Sequence, residues 1–90
     1  NDGWFSYVMN PKGNRIQHIR IVCNGQEGNE ATVLVNGVEA GNFRTMTPGN
    51  DETHLVPVPV ELQNADIMTV TIKGIEGKST PMIYEVRLSL

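Results

Sequence analysis

Residues 31–41, ATVLVNGVEAG, carry the clearest pattern in the chain. Ala31, Val33 and Val35 fall on one face of an extended segment, and Thr32 and Leu34 on the other. Asn36-Gly37 follows at once, and Asn-Gly between alternating apolar residues is the strongest short hairpin signal, because a type I′ turn needs positive φ at both central positions. Residues 38–42 form the return arm, and residues 43–46 can extend it. Period-two patterns recur on both sides. Residues 3–9 set Phe5, Tyr7 and Met9 against Trp4, Ser6 and Val8. Residues 15–23 set Ile19, Ile21 and Cys23 against His18, Arg20 and Val22. Residues 67–73 set Met68, Val70 and Ile72 against Thr69, Thr71 and Lys73. Residues 81–90 set Met82, Tyr84, Val86, Leu88 and Leu90 against Glu85, Arg87 and Ser89.

The intervening segments read as turns. Residues 10–14 hold Pro11 and Gly13, residues 24–30 hold two glycines, residues 47–52 read TPGNDE, and residues 74–80 hold two more glycines. Residues 53–60 are extended, but Pro57 and Pro59 cannot donate to a ladder, so this segment belongs at a sheet edge or leaves the sheet near Pro57. Residues 61–66 make a turn or one short helical turn. No segment keeps a 3.6-residue apolar period. The expectation is an all-β, two-sheet β-sandwich of roughly seven or eight strands. Its core would hold Phe5, Tyr7, Ile19, Ile21, Val33, Val35, Val58, Val70, Ile72, Val86 and Leu88.

Ninety residues make a single domain, 1–90, able to fold alone but with little margin. A formal net charge of −3 with scattered Lys and Arg offers no basic face for nucleic acid, and no apolar run suits membrane insertion. Cys23 is the sole cysteine, which excludes an internal disulfide and reads as a small buried hydrophobe. The chain starts at Asn1, not Met, and reads as an excised domain or a trimmed mature segment, with any targeting signal lying outside it.

Candidate chemistry is thin. His18 and His54 stand beside no nucleophile signature and read as surface or rim residues. The acids sit mostly in predicted loops, and no CxxC, HxH or HExxH spacing suggests a transition metal. Asn50, Asp51 and Glu52 form an oxygen-rich run suited to calcium, though a solvent loop has the same composition. For sugar binding the platform would be Trp4, on the outer face with Arg20 or His18 beside it, together with Phe43 near a loop and Arg44, Asn50 and Asp51 as polar partners.

The order DGWFSYVM, IRIVCNG, ATVLVNGVEAG, VPVPVELQNADIMTVTIKG, MIYEVRLSL resembles the C-terminal accessory domain of bacterial glycoside hydrolases of the β-L-arabinofuranosidase type. That resemblance implies a galactose-binding-like jelly roll and a non-catalytic role, since catalysis in such enzymes lies on a separate helical barrel. It also implies a neighbouring domain of the parent chain as partner, polysaccharide as a further one, and a secreted, periplasmic or cell-surface location. No cofactor is expected beyond a structural calcium ion. Two other readings are a carbohydrate-binding module and an immunoglobulin-like adhesion domain offering its edge near residues 53–56 for strand addition.

Overall fold

The Asn36-Gly37 turn is the tip around which the whole chain folds. In the computed structural model, which describes residues 3–90, Asn36 has φ 50° and Gly37 φ 81°. These are the left-handed conformations that a type I′ turn requires. The arms are β3 (Glu30–Val35) and β4 (Val38–Arg44). Two further antiparallel pairs nest outside them: β2 (His18–Asn24) with β5 (Asp51–Pro57), and β1 (Trp4–Met9) with β6 (Met68–Gly74). Asp2, the first residue of the DGWFSYVM stretch, lies outside the described residues.

This long hairpin is rolled up. β3 pairs with β6 as well as β4, and β2 pairs with β7 (Met82–Ser89) as well as β5. The result is a four-stranded sheet, β1-β6-β3-β4, facing a three-stranded sheet, β5-β2-β7. A rolled antiparallel hairpin split over two sheets is a jelly roll. An immunoglobulin order is excluded, because there the first two strands pair within one sheet, whereas β1 and β2 lie in different sheets.

The core lies between the sheets and follows the period-two faces. Ile19, Ile21 and Cys23 from β2, Ala31, Val33 and Val35 from β3, and Met68, Val70 and Ile72 from β6 are fully buried. Val56, Val58 and Ile16 close the ends. β5 stops at Pro57, and a single 3-10 turn, Val60–Leu62, follows Pro59.

Three features depart from simple alternation. At the side where β4 meets β5, Gly41 comes so close that an added Cβ would sit 3.4 Å from Val56 Cγ1. The opposite side therefore belongs to β1 and β7, and the larger sheet overhangs there by one strand. Phe5 and Tyr7 face inward, opposite Ile72 and Val70, yet remain 41% and 37% exposed. They stack edge-to-face, with centroids 5.8 Å apart, rather than joining the core. Two β-bulges then reset the phase of a strand, as an extra residue does. In β4 the bulge falls at Ala40, so Gly41 and Phe43 pair with Val33 and Ala31 and turn inward. In β7 it falls at Tyr84, so Ile83 pairs with Cys23 and packs on the core while Met82 and Tyr84 point to solvent.

Candidate functional site

One end of the sandwich gathers the loops after β2, β4 and β6, and most of the polar candidates lie there. β5 begins at Asp51, earlier than the sequence pattern suggests, because Asp51 and Glu52 find ladder partners in Asn24 and Cys23. Strand geometry then sends the two carboxylates to opposite faces. Asp51 Oδ1 accepts from Asn24 Nδ2 at 2.9 Å on the outside, and Asn50 Nδ2 donates to Pro48 O at 3.4 Å. Asn50, Asp51 and Glu52 do not converge into an oxygen cage.

Glu52 points inward instead and is saturated by protein donors. Its carboxylate accepts from the Met46 amide at 2.9 and 3.1 Å, the Thr47 amide at 2.8 Å and the Thr47 hydroxyl at 2.8 Å. His54 Nε2 lies 2.6 Å from Glu52 Oε1. An ionised carboxylate only accepts, so His54 Nε2 carries the donated proton. Burial opposes the charge on Glu52, yet the Thr47 and Met46 amides, His54 and the Thr47 hydroxyl together bring its pKa down to about 2. This carboxylate ties the loop after β4 to the start of β5.

Cys23 stands directly across from Glu52 in the β2·β5 ladder and is fully buried. Its thiol, one oxygen of Glu52 and one ring nitrogen of His54 all lie within 4.8 Å of one another. Burial, followed by the charges of Glu52 and Asp51, pushes the thiol pKa up to about 11. It is therefore protonated at neutral pH and no nucleophile in this state. Sequence reasoning missed this trio because its members are brought together by strand pairing. The available signal was Glu52-x-His54, two polar groups at alternate positions of a strand whose next alternate residues, Val56 and Val58, are core.

Phe43 does not form an exposed platform. It is 4% exposed, and its ring centroid sits 5.3 Å from that of His54. Arg44, one residue on, points outward into a cleft of about 480 Å³ between the loops after β2 and β4. Asn29, Glu30, Thr45 and Lys78 also line it, and Lys78 Nζ lies 3.3 Å from Glu30 Oε1.

Trp4 is far from Phe43 in the topology, on the edge strand β1 of the four-stranded sheet, and is 68% exposed. Its neighbours are not Arg20 and His18, which belong to β2 in the other sheet. Its ladder partner Lys73 places the ammonium 5.9 Å from the ring centroid, within cation–π range. Ser6, Thr71 and Leu34 complete a shallow pocket of about 250 Å³ on this outer face, with Ser6 Oγ and Thr71 Oγ1 2.9 Å apart. Trp4, Phe43 and Arg44 thus do not form one site.

No helix among the described residues is long and apolar enough to cross a membrane. No curated protein and no solved structure matches the chain. A family model does, over residues 1–89: the chain belongs to a family of unknown function, DUF6805.

Proposed function

We propose that the chain is a non-catalytic accessory domain of a larger bacterial polysaccharide-degrading or cell-surface protein, and that it acts by packing against a catalytic domain and positioning it. One observation carries this reading: β1 exposes large apolar side chains on both of its faces. Trp4 and Val8 stand on the outer face, and Phe5 and Tyr7 hang over the rim of the sandwich, with β6 the only strand beside them among the described residues. β7, the edge strand on the same side, adds exposed Met82 and Tyr84. Scattered apolar residues on a surface are ordinary, but a whole edge presented on both faces marks a contact. β7 has no nested hairpin partner among the described residues, so an added strand would complete the smaller sheet beneath Phe5 and Tyr7. The resemblance to hydrolase accessory domains supports the identity of the neighbour and the secreted, periplasmic or surface location.

Hydroxyl-radical footprinting of the isolated chain and of the longer parent protein tests the packing. Trp4, Tyr7, Met82 and Tyr84 should be oxidised freely in the former and protected several-fold in the latter. Equal oxidation in both refutes the reading.

The Trp4 pocket favours a second reading, carbohydrate binding, because an exposed indole flanked by an ammonium and two hydroxyls matches the mixed chemistry of a sugar. Titration with arabinan, galactan or xylan oligosaccharides should then shift Trp4 emission, and Trp4→Ala should abolish binding. No shift and no retardation in affinity gels refutes it.

A further inference from the structure

We propose that Cys23, Glu52 and His54 form a binding site for a borderline transition-metal ion, zinc(II) being the natural occupant. Sulfur, imidazole nitrogen and carboxylate oxygen are the donor types such ions select, and three protein ligands with one open position is the usual arrangement of a reactive zinc site.

The placement is not a chance of surface composition. β5 presents Glu52 and His54 at successive inward positions, where Val56 and Val58 continue the apolar core. The β2·β5 register fixes the third donor, since Cys23 is the direct partner of Glu52. All three donor atoms fall within 4.8 Å of one another. Anchoring the loop after β4 accounts for Glu52, through Met46 and Thr47, but it requires neither an imidazole nor a thiol at this end of the core.

The surroundings suit an ion. Met46 and Thr47 hold the carboxylate from behind, which is how outer-shell donors orient a ligand, and Phe43 lies against the His54 ring. Oε1 is directed at His54 Nε2. The ion replaces the proton between these two atoms, which move apart by roughly an ångström to reach bonds of about 2.0–2.2 Å, with the Cys23 thiolate at about 2.3 Å. The Cys23 proton leaves to solvent, while His54 changes tautomer, its proton passing by exchange with solvent from Nε2 to Nδ1, so that a neutral imidazole binds the ion. The Glu52 carboxylate, within 4.8 Å of the sulfur, supplies negative charge that favours a dication between them. Side-chain exposures of 11% for Glu52 and 18% for His54 leave an approach from the rim, on the side away from buried Cys23.

Cobalt(II) titration of the metal-free chain tests the site, with the ion added both to native protein and during refolding so that slow entry past the core is not mistaken for lack of affinity. One equivalent should saturate, with a sulfur-to-cobalt charge-transfer band and tetrahedral d–d absorption, and zinc(II) should bleach both. Cys23→Ser should lose the charge-transfer band. His54→Gln, at a rim position where folding is readily verified by circular dichroism, should weaken binding at least tenfold and remove the rise in Tm caused by zinc. Absence of the band in folded wild type under both regimes overturns the proposal. So does unchanged cobalt affinity in His54→Gln, or non-saturating uptake that both variants share.

Discussion

Asn36 does more than turn the chain, and its replacement separates three contributions. It sits at φ 50°, a region non-glycine residues rarely occupy. Its side chain also docks the hairpin tip onto the entry to β6: the Thr69 amide donates to Oδ1 at 2.8 Å, and Nδ2 donates to Ile67 O at 3.2 Å. A backbone bond from the Asn36 amide to Thr69 O, 2.9 Å, survives any substitution. Asn36→Ala removes both side-chain bonds, each worth about 0.5–1 kcal/mol net at an exposed position. It adds about 1 kcal/mol because alanine tolerates the left-handed region less well than asparagine. The expected loss is about 2–3 kcal/mol, or a fall in Tm of roughly 8–24 °C for a domain of this size. Asn36→Gly relieves the backbone and should cost only about 1–2 kcal/mol, from the lost bonds alone. Asn36→Asp keeps the acceptor for Thr69 and loses only the donor to Ile67, about 0.5–1 kcal/mol. Urea denaturation followed by far-ultraviolet circular dichroism, with the m-value unchanged, gives all three numbers. Equal losses in the alanine and glycine variants would refute the backbone contribution. An alanine variant within about 0.5 kcal/mol of wild type would refute the docking role altogether.

Glu52 supplies a pH signature. Its pKa falls from 4.5 to about 2 on folding, so the stability it contributes is fully present above 4.5 and is lost as pH drops towards 2. Glu52→Gln should lower Tm at neutral pH, and the gap to wild type should close across that acid window; parallel Tm–pH curves would refute the assignment. Gly25 has no room for a side chain: an added Cβ would lie 2.4 Å from Thr45 Oγ1, 2.9 Å from Asn29 Oδ1 and 3.0 Å from Pro81 Cβ. Gly25→Ala should cost about 1–3 kcal/mol in chemical denaturation. Thr45→Ala, which deletes a buried hydroxyl that has no partner among the described residues, should be neutral or stabilising and should recover part of the Gly25→Ala loss in the double variant. Additive losses would show that the clash is relieved elsewhere.

Local geometry can be read from short stretches of the chain. Asn-Gly forced the type I′ turn, period-two patterns chose the buried faces of β2, β3 and β6, and Pro57 ended β5 at a sheet edge. These follow from interactions within a few residues, so they are written into short stretches of sequence. Features that depend on a partner strand appear only in the folded structure. The extra residues Ala40 and Tyr84 become bulges only against β3 and β2, and each flips the phase of what lies beyond it. That is why Phe43 turned from a surface ring into core, and Tyr84 from core into surface. Asp51 and Glu52 read as loop until Asn24 and Cys23 offer them a ladder, and the same pairing assembles the Cys23, Glu52 and His54 cluster across a long gap in sequence. Phe5 and Tyr7 have the alternation of core residues and point inward as expected. They stay exposed because the opposing sheet is one strand narrower, and sheet width is a property of how the whole hairpin rolls, not of any residue within it.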